Sequence, residues 1–174
     1  LFDMFKVGPG PSSSHTIGPM KAGHHFAETC AALPRDLLVR AVRFRVRLYG
    51  SLSATGMGHG TDAAVVAGLL GTAPESCPAG LLQELMDDPH TRRKRSLGDG
   101  QVSVCVDDVS HDAIIHDFPY SNTLVADLLD AEDNVLHSQE YYSVGGGFIQ
   151  WKGWEPPSLG KPVHRYSNMT ELRA

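Results

Sequence analysis

Two short segments place glycine, hydroxyl groups and histidine together just ahead of sequence that reads as helix. They are Gly10-Pro11-Ser12-Ser13-Ser14-His15-Thr16 and Gly56-Met57-Gly58-His59-Gly60-Thr61-Asp62. The free N–H groups and the dipole of a helix N-terminus favour a negative ligand, and glycine lets backbone approach it closely. A carboxylate suits such a place as well as a phosphate. Neither segment has the lysine of a phosphate loop or the glycine spacing of a dinucleotide loop, so nucleotide binding has little support. His59 stands between two glycines, and an imidazole with an ordinary pKa of about 6.5 can take a proton near neutrality, which makes it the candidate base. The same spacing also fits an ordinary surface-loop histidine, and His15 also fits a helix-start residue paired with a neighbouring hydroxyl. Asp62 reads first as a first-turn acid favoured by the dipole. Asn122, after Pro119-Tyr120-Ser121, reads first as a turn former. In Tyr141-Tyr142-Ser143-Val144-Gly145-Gly146-Gly147-Phe148, three glycines between strand-like flanks cost backbone entropy unless the chain bends tightly or approaches something closely. A hairpin and a binding site are both open there.

Elements must hold these segments. Ser12 to Ser14 offer N-caps, and Ile17, Met20, His24, Ala27 and Ala31 recur at helical spacing, with Pro19 tolerable in the first turn and the end before Pro34. Val42 to Tyr49 alternates apolar and basic residues, the pattern of a strand with one buried face. Its arginines read as a solvated or partner-facing surface. Gly50 to Gly60 reads as a long loop of small residues, Ala63 to Leu70 as an apolar helix and Leu81 to Met86 as a second short one. Pro89 to Arg95 reads as an exposed turn with a solvated basic run. Gln101 to Val106, Ala113 to Phe118, Thr123 to Leu129 and Val135 to Val144 are β-prone runs between turn residues, which predicts an antiparallel series. The expected class is α+β, a mixed or largely antiparallel sheet with two to three helices packed on one face.

The composition limits the partners. With 174 residues, 41% of them hydrophobic, the chain supports one core: a domain over 1–152 followed by a 153–174 linker. A net charge of -5 with scattered basic residues argues against nucleic acid. Cys30, Cys77 and Cys105 form neither a disulfide framework nor a zinc pattern, and His15, His24 and His25 follow no metal spacing. No apolar stretch reaches the ~20 residues that span a bilayer, and no secretory signal opens the chain, so a reducing cytoplasm and no membrane are expected. The chain opens without methionine and closes on a proline-containing stretch, which reads as an excised piece ending in a linker.

The segments above, with Phe2-Asp3-Met4-Phe5, Gly18-Pro19-Met20 and Tyr49-Gly50-Ser51-Leu52, resemble in order the β domain of bacterial iron-sulfur-dependent L-serine dehydratases, to about Ile149. The resemblance implies a partner catalytic (α) domain that holds a [4Fe–4S] cluster, with no metal ligand in this fragment and no activity of the fragment alone. It implies α,β-elimination of water from L-serine to give pyruvate and ammonia, with His59 as base. It further implies that Ser12, Ser13, Ser14, His15, Thr16, Gly58, Gly60, Thr61, Asp62, Asn122, Ser143, Gly145 and Gly146 bind substrate, and that the enzyme is a homo-oligomer. The domain is also similar to the substrate-binding domain of some 3-phosphoglycerate dehydrogenases, so a non-catalytic small-acid-binding regulatory module is the alternative. A structural dimerisation domain, with Val42 to Leu48 at its interface, is a weaker one. Tyr120 and Met57 depart from the family pattern, where a histidine and a lysine are common.

Overall fold

In a computed structural model, which describes residues 8–10 and 12–156, one mixed sheet carries its helices on one side. Its strands are β1 (Arg43–Tyr49), β2 (Arg93–Leu97), β3 (Gly100–Val104), β4 (Val109–His111), β5 (Asn122–Leu129), β6 (Val135–Gly145) and β7 (Phe148–Trp151). They lie in the order β2-β3-β1-β5-β6-β7, and β4 extends the edge of β1 beyond β3. β1 runs parallel to β3 and β4 and antiparallel to β5, and β5 runs antiparallel to β6, so the sheet is mixed, within the α+β class that the sequence predicts. The helices are α1 (Gly18–Ala31), α2 (Arg35–Leu38), α3 (Gly50–Thr55), α4 (Thr61–Leu69) and α5 (Leu81–Asp87). Residues 1–7, Pro11 and 157–174 lie outside the described residues, and with them Phe2-Asp3-Met4-Phe5 and most of the segment read as a linker.

Alternation in β1 sends Phe44, Val46 and Leu48 into the core, all fully buried, against Met20 and Phe26 of α1 and the apolar α4. Burial of such side chains is the main favourable term of the fold, and truncating a residue like Phe44 costs about 3–5 kcal/mol. α1 and α4 meet backbone to backbone. A Cβ on Gly23 would sit 2.4 Å from the Val65 carbonyl oxygen, and one on Gly68 would sit 2.1 Å from that of Met20. Only a residue without a side chain fits at either place.

Four local readings are corrected. Gly50–Thr55 is helix α3, not loop: its small residues have weak propensity, but Leu52 is fully buried and Ser53 Oγ donates to the Asp112 carbonyl at 2.7 Å. The basic run enters β2, and its three arginines are paired: Arg92 with Asp108, Arg93 with Glu84, Arg95 with Glu28. The arginines of β1 are paired as well. Arg45 and Arg47 both donate to Asp127, whose side chain is 1% exposed, and Arg43 bridges Asp108 and Asp133. Ala113 to Phe118 is irregular chain with Ile114 and Ile115 exposed, despite its β-prone composition. Among the described residues, no helix is long and apolar enough to cross a membrane.

Candidate active site

The Ser12 to Thr16 segment begins the helix as a single wide turn, Ser13–Ile17, that continues into α1. Ser12 caps it, its Oγ accepting from the His15 N–H at 3.1 Å. The N–H groups at such a start have no partner within the helix and are directed outward. Wide turns of this kind are rare and recur at functional sites. His15 Nε2 lies 3.3 Å from the Ser51 carbonyl oxygen and 3.1 Å from the Ser51 hydroxyl in α3. A carbonyl oxygen can only accept, so Nε2 carries the hydrogen and Nδ1 accepts from the Ser14 hydroxyl at 2.9 Å. Burial pushes His15 below the ordinary histidine value; the Ser51 carbonyl opposes this, and the neighbouring His59 adds to it. The ring is therefore neutral at pH 7.

His59 ends a short turn, Met57–His59, between α3 and α4, and Gly60 follows it at φ 66°. His59 Nδ1 lies 2.9 Å from the Thr55 carbonyl oxygen, which assigns the hydrogen to Nδ1 and leaves Nε2 with its lone pair. Nε2 has no hydrogen-bond partner among the described residues. Its ring faces that of His15, with centroids 5.0 Å apart, and borders a cleft of about 650 Å³ walled opposite by Pro78, Leu82 and Met86.

Two buried threonines lace the histidine segments together. The Thr16 hydroxyl donates to the His59 carbonyl at 3.2 Å, and the Thr61 hydroxyl donates to the His15 carbonyl at 2.6 Å. A third segment joins through Ser143 on β6, whose hydroxyl donates to the Ser14 carbonyl at 2.8 Å. Gly18 makes room for it, since a Cβ there would fall 2.2 Å from Ser143 Oγ. Asn122 Nδ2 donates to the Ser143 carbonyl at 3.4 Å, and Asn122 Oδ1 is buried without a partner.

Of the residues that the sequence singles out, the fold thus gathers Ser12, Ser13, Ser14, His15, Thr16, His59, Thr61, Asn122 and Ser143. Gly58 lies exposed in the His59 turn. Asp62 faces His111, not the cluster. Gly145 and Gly146 turn the β6–β7 hairpin at φ 94° and 59°, and none of the hydrogen bonds that join the cluster uses them. Ser51 and Gly18 complete the site without having been singled out as site residues; both lie inside the motifs, and their spacing to histidine gives no sign of contact.

No three His, Cys, Asp or Glu side chains among the described residues are grouped to hold a metal ion. Cys30 is fully buried, and desolvation pushes its thiol up to about 12, which keeps it protonated at neutral pH.

The family model described as serine dehydratase beta chain matches residues 1–154. L-serine dehydratase 2 of Escherichia coli (strain K12) is 41% identical over 155 residues, covering 86% of this chain and 32% of the relative. L-serine dehydratase of Streptomyces coelicolor is 40% identical over 154 residues, covering 86% and 33%. That of Haemophilus influenzae is 38% identical over 152 residues, covering 86% and 33%. The chain spans about a third of the length of the curated relatives it matches.

Proposed function

The chain belongs to the serine dehydratase beta chain family, and from that premise we propose that it is the part of an L-serine dehydratase that receives L-serine and supplies His59 as the base. The observation that carries this reading is the state of His59: Nδ1–H is committed to the Thr55 carbonyl, and Nε2 keeps its lone pair beside the hydroxyl-rich start of α1.

Dehydration removes the Cα proton and the Cβ hydroxyl of serine; the resulting aminoacrylate tautomerises to an imine, and water converts that to pyruvate and ammonia. The N–H groups of the first turn that Ser12 does not take, with the hydroxyls of Ser12 and Ser13, suit the substrate carboxylate, while the Ser14 hydroxyl is committed to His15 Nδ1. His59 Nε2 takes the Cα proton, and the imidazolium that forms keeps its bond to the Thr55 carbonyl. A positioned base of this kind contributes about 10²–10⁴-fold. Neutral His15, held between Ser14 and Ser51, leaves His59 free of an adjacent positive charge while it accepts the proton.

The [4Fe–4S] cluster implied by the family does not fit these residues. Its ligands, and the help that the departing hydroxyl needs, belong with the larger part of the relatives' length that this chain does not span. Cytoplasmic placement and association with that catalytic part follow from the same reading, with the fragment alone inactive. The test is anaerobic L-serine deamination by this chain, alone and joined to or mixed with its catalytic partner. Pyruvate and ammonia formed only when both are present support the proposal; no turnover despite an intact cluster overturns it. In the joined protein, His59→Ala is expected to lower turnover by about 10²–10⁴-fold.

A further inference from the structure

His111 ends β4, the three-residue strand beside the end of β1. Its Nδ1 lies 3.0 Å from the Ser53 carbonyl oxygen in α3. Its Nε2 lies 3.0 and 3.1 Å from the two carboxylate oxygens of Asp62 in the first turn of α4. Neither a carbonyl nor a carboxylate has a hydrogen to give, so both ring nitrogens carry one and the ring is an imidazolium. The hydrogen bond goes to Oδ2; Asp62 Oδ1 is buried without a hydrogen-bond partner, and His111 reaches it only as an ion-pair contact. The chain between Ser53 and Asp62 is the turn that carries His59.

We infer that His111 is a positioning residue for His59: its two N–H groups tie the last turn of α3 to the first turn of α4 and so fix both ends of the segment that presents the base. The inference rests on the reading of His59 as base. It also accounts for Asp62, whose carboxylate serves His111.

The charge makes the tie sensitive to pH. Asp62 faces His111 from α4 and Asp112 follows it in the chain; α3 brings no titratable side chain, and β1 brings Tyr49, which is bonded to Asp112. Burial is the largest single influence and opposes the charge, but Asp62, the Ser53 carbonyl and Asp112 together hold His111 above the ordinary histidine value. A raised value means that the tie is complete below the unfolded pKa of about 6.5 and is lost as pH rises through the folded one. Loss of the tie with rising pH predicts an alkaline limb of the rate profile set by His111.

The test is kcat and KM for L-serine over about pH 6 to 10 in the full-length, cluster-bearing protein, for the wild type, His111→Gln and Asp62→Asn. His111→Gln is expected to lower kcat about tenfold or more, to change KM less than about threefold, and to remove the alkaline limb. Asp62→Asn removes the carboxylate that raises His111 but offers a donor to neutral Nε2, so the tie survives deprotonation and the alkaline limb is expected to disappear. A His111→Gln protein with wild-type melting, kcat within about twofold and the limb in place overturns the inference. If His111→Gln does not fold, an unmoved limb in Asp62→Asn overturns it. Absence of serine turnover in the wild type sinks the assignment of the reaction itself.

Discussion

The arginine-aspartate network on the outer face of the sheet and the histidine-serine cluster at the helix starts are both polar and both partly buried, yet they use their bonding capacity in opposite ways. Asp127 accepts from Arg45 at 2.8 and 3.1 Å, from Arg47 at 3.2 Å and from Ser138 at 2.7 Å, so a fully buried charge is met from three sides. Such a carboxylate has little left to offer a ligand, and the network is structural. In the cluster the groups are hydroxyls and imidazoles, and at least one acceptor, His59 Nε2, is left without a hydrogen-bond partner among the described residues. Chemistry is to be sought where capacity remains, which is not where charge is densest.

The comparison breaks if variants on the two sides behave alike. The largest effect expected is on turnover: His59→Ala lowers kcat by about 10²–10⁴-fold but moves the melting midpoint by no more than a few degrees, because the ring lies at the surface of a turn. Asp127→Ala should do the reverse. Removing one partner of a buried ion pair costs about 3–5 kcal/mol, read from chemical denaturation, while enzyme that remains folded keeps its kcat. Gly68→Ala joins the two regions, since its methyl group would have to push α4 off α1; a stability loss of about 1–3 kcal/mol together with a fall in kcat is expected. The smallest effect belongs to Thr61→Val, which deletes one buried hydroxyl bond to the His15 carbonyl: about 1 kcal/mol of stability and a measurable loss of turnover. Equal turnover in Thr61→Val and wild type would show that the threonine lacing is dispensable.

β1 was legible because its apolar and basic residues alternate without a slip, and α1 because serine caps precede residues at helical spacing. The cluster was legible as separate segments, glycine and hydroxyl next to histidine, but their convergence was not. Ser143 reaches Ser14, and His111 reaches Asp62, across long stretches of chain and partly through backbone carbonyls, which carry no sequence signal. The same holds for the arginines: their acidic partners on β5 and in the turn after β3 are set by strand order, and no local pattern encodes that order. α3 was hidden for another reason. Its glycine and serines favour a loop locally, and the helix is imposed by burial of Leu52 and by the bonds of Ser51 and Ser53 to neighbouring chain.

The glycine crossing of α1 and α4 acts as a fulcrum. His15 lies about 12 Å along its helix from Gly23, and His59 lies beyond the matching end of the other helix, so each histidine sits at the tip of a lever pivoted where the backbones touch. A tilt of about 5° at the pivot would carry a tip about 1 Å, a misplacement of the size that can cost a reaction about a hundredfold. With no side chain interposed at the contact there is nothing compressible to absorb such a tilt. The angular precision of this candidate site is therefore set in the middle of the helix layer, well away from the residues that would touch substrate.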